Sequence, residues 1–206
     1  MQELKTNLGN QLHADLNSIY SNKVVIKQLK KLIKTVEKQI EETGTAIEKH
    51  IGSNPEVAKK VGQLTAIKGV GTITIATILA ETNGFALFKS IPQLVSYAGY
   101  DVVENQSGNR AGKTRISKKG NGRIRRVLHL PAFNLIRYDV GNFKVFFQRI
   151  LSKHHQKMKA YVAVRRKLLV LIYTLWKKNQ EYSPSLHNQQ MTFRNEEAEL
   201  SFALAR

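Results

Sequence analysis

The chain has 206 residues, 42% of them hydrophobic, which suffices for one folded domain with an extension. It has no cysteine, which excludes a disulfide framework and a thiolate zinc site and predicts a reducing, cytoplasmic location. The net charge of +18 predicts a polyanionic partner, with nucleic acid favoured over a membrane surface. No membrane span is expected, because the longest apolar run, 168–176, is less than half of the ~20 residues required.

The first predicted element is one long helix over residues 11–51. Isoleucine recurs at every seventh position from Ile19 to Ile47, which is typical of a coiled coil, although half of the positions in the second seam are polar. Such a helix could pack on a neighbouring element, but pairing with a second copy is favoured, with Asn22 fixing the register. The segment Gly-Ser-Asn-Pro at 52–55 ends the helix. Residues 1–52 are therefore predicted to form a coiled coil that makes the protein a homo-oligomer.

A helix-hairpin-helix motif is predicted at about 64–81, after a helix over 55–67. Its turn, Gly-Val-Gly at 69–71, is expected to use positive φ angles and to leave free N–H groups at the start of the second helix. Such a helix start can bind a phosphate, and four residues become candidate DNA contacts: Lys68, Gly69, Gly71 and Thr72. The alternative is a tight connection between two core helices that touches no ligand.

The remaining pattern predicts more helices and hence an all-α fold, with a compact domain over 56–183. Ser90 and Gln93 fit a capping box for a short helix that ends at Gly99. A helix over 121–138 should bend at Pro131. The pattern then predicts a helix over 143–153, a central core helix over 158–179, and a flexible tail over 184–206.

Residues 104–122 form a glycine-rich basic loop, and the stretch 104–126 holds eight basic residues but one acid. Only four acids occur between 57 and 180, and no histidine has zinc-ligand spacing, so no metal site is expected in this chain. No phosphate-loop motif for a nucleotide is present either.

A serine in such a loop could act as a nucleophile, because the surrounding cations would neutralise the charge that builds on an attacked phosphate. Ser107 fits best, since Gly108 follows it and basic residues lie close by. Ser117 is the competitor, and a turn cap or a phosphate contact suits it better. From the residues alone, phosphate binding by the loop is favoured over catalysis. The candidate DNA contacts are Arg110, Lys113, Arg115, Ser117, Lys118, Lys119, Arg123 and Arg126.

Four stretches carry a resemblance to a known family: IKGVGTITIATILAETNGF, QLVSYAGYDVVENQSG, GKTRISKKGNGRIRRVLHLPAF and AYVAVRRKLLVLIYTLW. Over about 60–183 the sequence resembles the C-terminal half of the DEDD-type insertion-sequence transposases. These bacterial recombinases are related to the pilin-gene invertases, and some are guided by a bridge RNA. The preceding helix resembles the family's coiled coil.

The resemblance implies DNA strand exchange in transposition. In the family, the serine of a Gln-Ser-Gly motif, here Ser107, acts with acidic residues of a RuvC-like domain that hold Mg²⁺. That acidic domain is not found in this sequence, so Mg²⁺ and catalysis are expected to need it in trans. DNA is the implied partner, with a guide RNA in some members. The alternative is a non-catalytic DNA- or RNA-binding fragment of such an element.

Overall fold

The computed structural model of the protein describes residues 1–103, 106–107, 110–111 and 115–183. These residues form nine α-helices and four two-residue strands, so the predicted all-α class is confirmed. In chain order the elements are α1 (Gln2–Leu16), α2 (Lys23–Gly52), α3 (Pro55–Thr65), α4 (Thr72–Thr82), α5 (Ile91–Tyr97), β1 (Val102–Val103), β2 (Gln106–Ser107), β3 (Arg110–Ala111), β4 (Arg115–Ile116), α6 (Gly122–Val127), α7 (His129–Arg137), α8 (Phe143–His154) and α9 (Lys157–Lys178).

The chain divides into two compact units, Met1–Pro55 and Glu56–Arg206. In the first unit, the prediction of one helix over 11–51 is wrong, because the chain turns between α1 and α2. Asn22 does not sit inside a helix. Its side-chain oxygen instead accepts a hydrogen bond from the Val24 N–H at 2.9 Å and so caps α2.

After this turn, α1 folds back along α2. The ammonium group of Lys5 lies 2.9 Å from a carboxylate oxygen of Glu37, which places the start of α1 beside the middle of α2. Leu29 and Val36, which belong to the second seam of the heptad pattern, are the buried residues of α2. Ile19 lies in the turn and is 93% exposed, so the regular isoleucine series does not mark the buried face.

The second unit is built around α9, as the sequence predicted. This helix packs against α5, α7 and α8. Its side chains Leu168, Leu169 and Ile172 are fully buried, and each contributes about 2 kcal/mol through removal of apolar surface from water. The apolar run that was too short for a membrane span is therefore the middle of the core. Among the described residues, no helix is both long and apolar enough to cross a membrane.

The connection between α3 and α4 brings two parts of the second unit close together. Gly69 has φ +95°, and a β-carbon there would lie 2.7 Å from the Cβ of Asn134 in α7. Gly71 was also expected to use a positive φ, but its φ is −92° and it serves as the N-cap of α4. Of the two glycines, therefore, only Gly69 both adopts a positive φ angle and lies too close to another residue to carry a side chain.

Two further helix ends refine the predictions. At α5, Ser90 is the N-cap but makes no side-chain hydrogen bond, and Gln93 accepts from the N–H of Lys89, at 2.9 Å, rather than from that of Ser90, so the predicted capping box is wrong. The predicted bend near Pro131 is confirmed as a break between α6 and α7 at Leu128, since proline offers no N–H to the carbonyl four residues earlier. The proposed flexible tail, 184–206, lies outside the described residues.

Candidate functional site

The described residues of the basic segment and its flanks form two short antiparallel strand pairs, together called the ribbon below, where a loop was predicted. Strand β1 pairs with β4, and further along the ribbon β2 pairs with β3. In the second pair, Gln106 lies opposite Ala111 and Ser107 lies opposite Arg110. Ser107 is exposed, so its hydroxyl meets the first requirement of a nucleophile that acts on a large substrate.

The root of the ribbon is a close crossing of two main-chain segments. The N–H of Ser117 donates to the carbonyl of Asp101 at 2.8 Å, and the N–H of Asn121 donates to that of Tyr97 at 2.7 Å. Gly99 has φ +70°, and a β-carbon on Gly120 would lie 2.1 Å from the Tyr97 carbonyl oxygen. Only glycine at 120 allows this approach, which fixes where the ribbon leaves the helical body.

The Arg125 side chain closes this crossing. Its Nη1 donates to the carbonyls of Ala98 at 2.8 Å and Gly120 at 2.9 Å, and its Nη2 donates to that of Lys118 at 3.0 Å. One guanidinium therefore joins both main-chain segments. Arg125 was not among the predicted site residues, because a basic residue that binds carbonyls looks the same in sequence as one that binds phosphates.

Glu81 organises the start of α6. Its carboxylate accepts from Arg123 Nη1 at 2.8 Å and from Asn121 Nδ2 at 2.6 Å, while the Tyr97 hydroxyl donates to the Glu81 carbonyl at 3.0 Å. The hydrogen bond from Arg123, followed by that from Asn121, lowers the pKa of Glu81. Asn121 Oδ1 also caps α6 by accepting from the N–H groups of Arg123 and Ile124. This acid thus has a structural function between α4 and α6.

A shallow pocket lies against the root of the ribbon. Its walls combine hydroxyl, amide, carboxylate and ammonium groups with one aromatic ring, and its lining residues are Ser96, Tyr97, Asp101, Ser117, Lys119, Gly120 and Asn121. Among the described residues, no group of three His, Cys, Asp or Glu side chains could hold a metal ion. The described part of the chain therefore does not fit a Mg²⁺ site.

The predicted contact residues fall into two groups. One lies in the α3–α4 connection, where Lys68 is exposed with its ammonium 4.9 Å from the Tyr138 ring centroid. The other lies on the ribbon, its root and α6, and its exposed members are Arg115, Lys118, Lys119, Arg123 and Arg126. Ser117 is half-buried. Lys113 and the side chain of Arg110 lie outside what the structure describes.

One cation of the second group is already paired with an acid, whereas the α4 residues of the first group are described by their exposure alone. Arg123 is 79% exposed at its side chain but ion-paired with Glu81, which itself is only 19% exposed. Gly71 is exposed and Thr72 half-buried at the first turn of α4. Sequence reasoning thus found the exposed cations but not the partners that hold them.

Residues 62–148 match the model of the Transposase IS116/IS110/IS902 family. Over 138 residues, 66% of the chain, the sequence is 28% identical to the "Pilin gene-inverting protein" of Moraxella bovis and, equally, to that of Moraxella lacunata. Over 143 residues it is 22% identical to the "Insertion element IS110 uncharacterized 43.6 kDa protein" of Streptomyces coelicolor. The matches cover 43% of the pilin gene-inverting proteins and 35% of the insertion-element protein, so the chain spans less than half of these relatives. The family resemblance drawn from the motifs is confirmed.

Proposed function

We propose, because this chain is related to the IS110-type transposases and the pilin gene-inverting proteins, that it is the DNA-binding, serine-bearing portion of a transposase or site-specific recombinase. Its substrate is a DNA phosphodiester, and its reaction is strand cleavage and exchange during transposition. The observation that carries this proposal is the exposure of Ser107 on a basic ribbon that lies inside the family match.

Ser107 is the nucleophile in this proposal. Its Oγ forms a bond to phosphorus as one P–O bond of the DNA backbone breaks, and the serine proton ends on the departing DNA hydroxyl. A phosphoserine link keeps the energy of the broken bond for the later joining step. Cations near the reacting phosphate would stabilise the charge that builds in the transition state. Arg115, Lys118 and Lys119 are the exposed cations of the ribbon and its root that support this function.

The chemistry also needs Mg²⁺ in our proposal, and the described residues do not fit it. Magnesium prefers several carboxylate oxygens, whereas the whole stretch 57–180 contains four acids and Glu81 among them is engaged by Arg123 and Asn121. The ligands are therefore assigned to an acidic domain outside this sequence. The chain binds DNA by itself and cleaves it only together with that domain.

DNA binding is assigned to both groups of predicted contacts. The α3–α4 connection acts as a helix-hairpin-helix, in which the first turn of α4 and Lys68 bind one phosphate, and the ribbon and α6 bind others. Neutralising several phosphates gives an affinity that falls steeply with salt. A guide RNA would compete for these cations, so its effect on DNA binding belongs in the same titration.

The first unit provides self-association. Leu29 and Val36 are buried within the α1–α2 hairpin, whereas Ile26, Ile33, Ile40 and Ile47 remain half-buried along its edge. An isoleucine stripe at heptad spacing suits pairing with the same stripe of a second copy. Sedimentation should therefore show a dimer or larger assembly for the whole chain and a shift toward monomer for Ile33→Glu.

The decisive experiment combines the chain with the acidic domain of a related transposase, Mg²⁺ and a plasmid that carries the DNA flanking the coding region. Wild type should yield a covalent protein–DNA adduct, detected as labelled DNA that stays with denatured protein. Ser107→Ala should abolish the adduct, whereas Ser117→Ala, the matched change at the competing hydroxyl, should keep it. An adduct formed by Ser107→Ala would remove Ser107 from the mechanism.

A further inference from the structure

Two side-chain donors near the root of the ribbon are buried without an acceptor among the described residues. The Tyr100 side chain is 1% exposed, and its hydroxyl makes no hydrogen bond. The Nε–H of Arg165 in α9 is also buried and unpartnered. A buried donor without an acceptor costs about 1–3 kcal/mol, so each of these donors needs an acceptor that the described side chains do not supply.

The two donors belong to one electrostatic cluster. The charges of Arg165 and Arg125 act on the Tyr100 hydroxyl, yet burial outweighs them and raises the pKa of Tyr100 to about 12. Arg125 uses its Nη atoms on three main-chain carbonyls. Arg165 therefore keeps the free hydrogen-bonding capacity of this cluster.

The third member is His129, at the start of α7. Nη2 of Arg165 contacts Nδ1 of His129, and since a guanidinium can only donate, Nδ1 must be the acceptor. The imidazole is then neutral, with its proton on Nε2. Burial, followed by the charge of Arg165, lowers the pKa of His129, which favours the same neutral form. The ring therefore offers its remaining nitrogen as a further donor.

No carboxylate balances this cluster in the described part of the chain. The segment 140–180, which includes α8 and α9, contains no Asp or Glu, and burial lowers the pKa of Arg165. A partly buried guanidinium without a carboxylate, beside two further donors, matches the donor-rich environment that an oxyanion requires. Tyr100 directly follows Gly99, so the cluster adjoins the root of the ribbon that bears Ser107.

We propose that Arg165, Tyr100 and His129 form a binding site for one phosphate of a nucleic-acid backbone, which positions the strand beside the root of the ribbon. This site rests on the proposed function for its ligand but needs neither Ser107 nor Mg²⁺. Arg165 supplies the charge and the exposed His129 ring its Nε2–H. The Nε–H of Arg165 and the Tyr100 hydroxyl, which have no accessible surface in the free protein, join the site as the Arg165 side chain turns toward the phosphate.

The test follows the His129 ring by ¹⁵N-edited NMR, with the signal assigned through His129→Gln. A short DNA duplex should shift the ring nitrogens of the wild type, and inorganic phosphate should shift them more weakly. Arg165→Gln should abolish both responses and lower DNA affinity about tenfold, which corresponds to about 1.4 kcal/mol. The matched control, Arg166→Gln, removes the same charge from the exposed neighbour and should lower affinity less than threefold.

Tyr100→Phe provides a second variant that keeps the packing of the ring and removes only the hydroxyl. It should fold at least as stably as wild type and bind DNA about threefold more weakly. A His129 ring that stays unchanged at saturating DNA, or equal losses in Arg165→Gln and Arg166→Gln, would overturn the site. A response to phosphate without one to DNA would overturn its assignment to nucleic acid. The NMR and affinity readouts are independent of adduct formation, so failure of the adduct experiment leaves this site standing.

Discussion

The main chain of Gly120 lies so close to that of Gly99 that a β-carbon on Gly120 would stand 2.5 Å from the Gly99 nitrogen. This crossing ties the two ends of the ribbon together. Its stability therefore determines whether the ribbon leaves the helical body at a fixed place.

We expect Gly120→Ala to lower the free energy of unfolding by about 3 kcal/mol or more, because the added methyl group collides with main-chain atoms that cannot move independently. Urea denaturation followed by circular dichroism measures the change. Gly122→Ala is the matched control, since its β-carbon would meet only the Arg125 side chain at 3.6 Å. Its effect should stay within about 1 kcal/mol. Equal losses in the two variants would contradict the role of the crossing.

Arg125→Met should destabilise the protein by about 2–4 kcal/mol, because three carbonyls lose a charged donor at once. Lys119→Met removes the same charge from an exposed neighbouring position and should change stability by less than about 0.5 kcal/mol. Thermal unfolding of the two variants gives the comparison. If Arg125→Met unfolded at the same temperature as Lys119→Met, the guanidinium of Arg125 would not be what holds the crossing together.

Glu81 should make the protein sensitive to acid. Its pKa is lowered in the folded state, chiefly by the hydrogen bond from Arg123, so its contribution to stability is present above the ordinary value of 4.5 and is lost as pH falls through the folded pKa. Glu81→Gln should therefore flatten the fall in urea midpoint between pH 5 and pH 3. Asp139→Asn, which breaks only the surface ion pair with Lys144, serves as the control. A Glu81→Gln variant with the wild-type acid slope would contradict this prediction.

Lys167 should also make stability rise with pH, but in an alkaline window and through relief of a cost rather than gain of a contact. Its ammonium lies 4.6 Å from the Phe146 ring centroid without a hydrogen-bond partner, and burial, followed by the charge of Arg149, lowers its pKa to about 8. The unfolded chain keeps this proton up to about pH 10.5, so the cost of burying the charge is full below pH 8 and fades as pH rises toward 10.5.

Lys167→Met should accordingly gain stability over wild type at pH 7, and this gain should shrink by pH 10. Urea midpoints at the two pH values measure the difference. Lys177→Met, a change at an exposed lysine of the same helix, corrects for the titration of the other lysines. A gain that is the same at both pH values would show that the pKa of Lys167 is not lowered in the folded protein.

The helical class and the central helix α9 could be predicted because their signals are local and repetitive. The same reliance on repetition produced the error at the N-terminus. The isoleucine series runs through Ile19, and its regularity outweighed the turn signals of Asn17, Ser18 and Asn22. The cap that Asn22 forms was the available clue.

The ribbon could not be predicted from periodicity, because strands of two residues are too short to show alternation. The pair Gly-Asn between Ser107 and Arg110 was a usable hairpin signal that the basic composition obscured. The partners of Arg125 and Glu81 were out of reach for a different reason. They are brought together by the tertiary fold over separations of 27 and 42 residues.

Arg125 binds the carbonyls of Ala98, Lys118 and Gly120, and carbonyls are common to every amino acid. The attachment therefore does not depend on the exposed side chains of the ribbon's strands, such as Val102 and Arg115, although Gly99 must stay because a β-carbon there would lie 2.6 Å from Arg125 Nη1. Under the proposed function, the residues of the ribbon that meet DNA can therefore change while the framework that holds the ribbon stays the same.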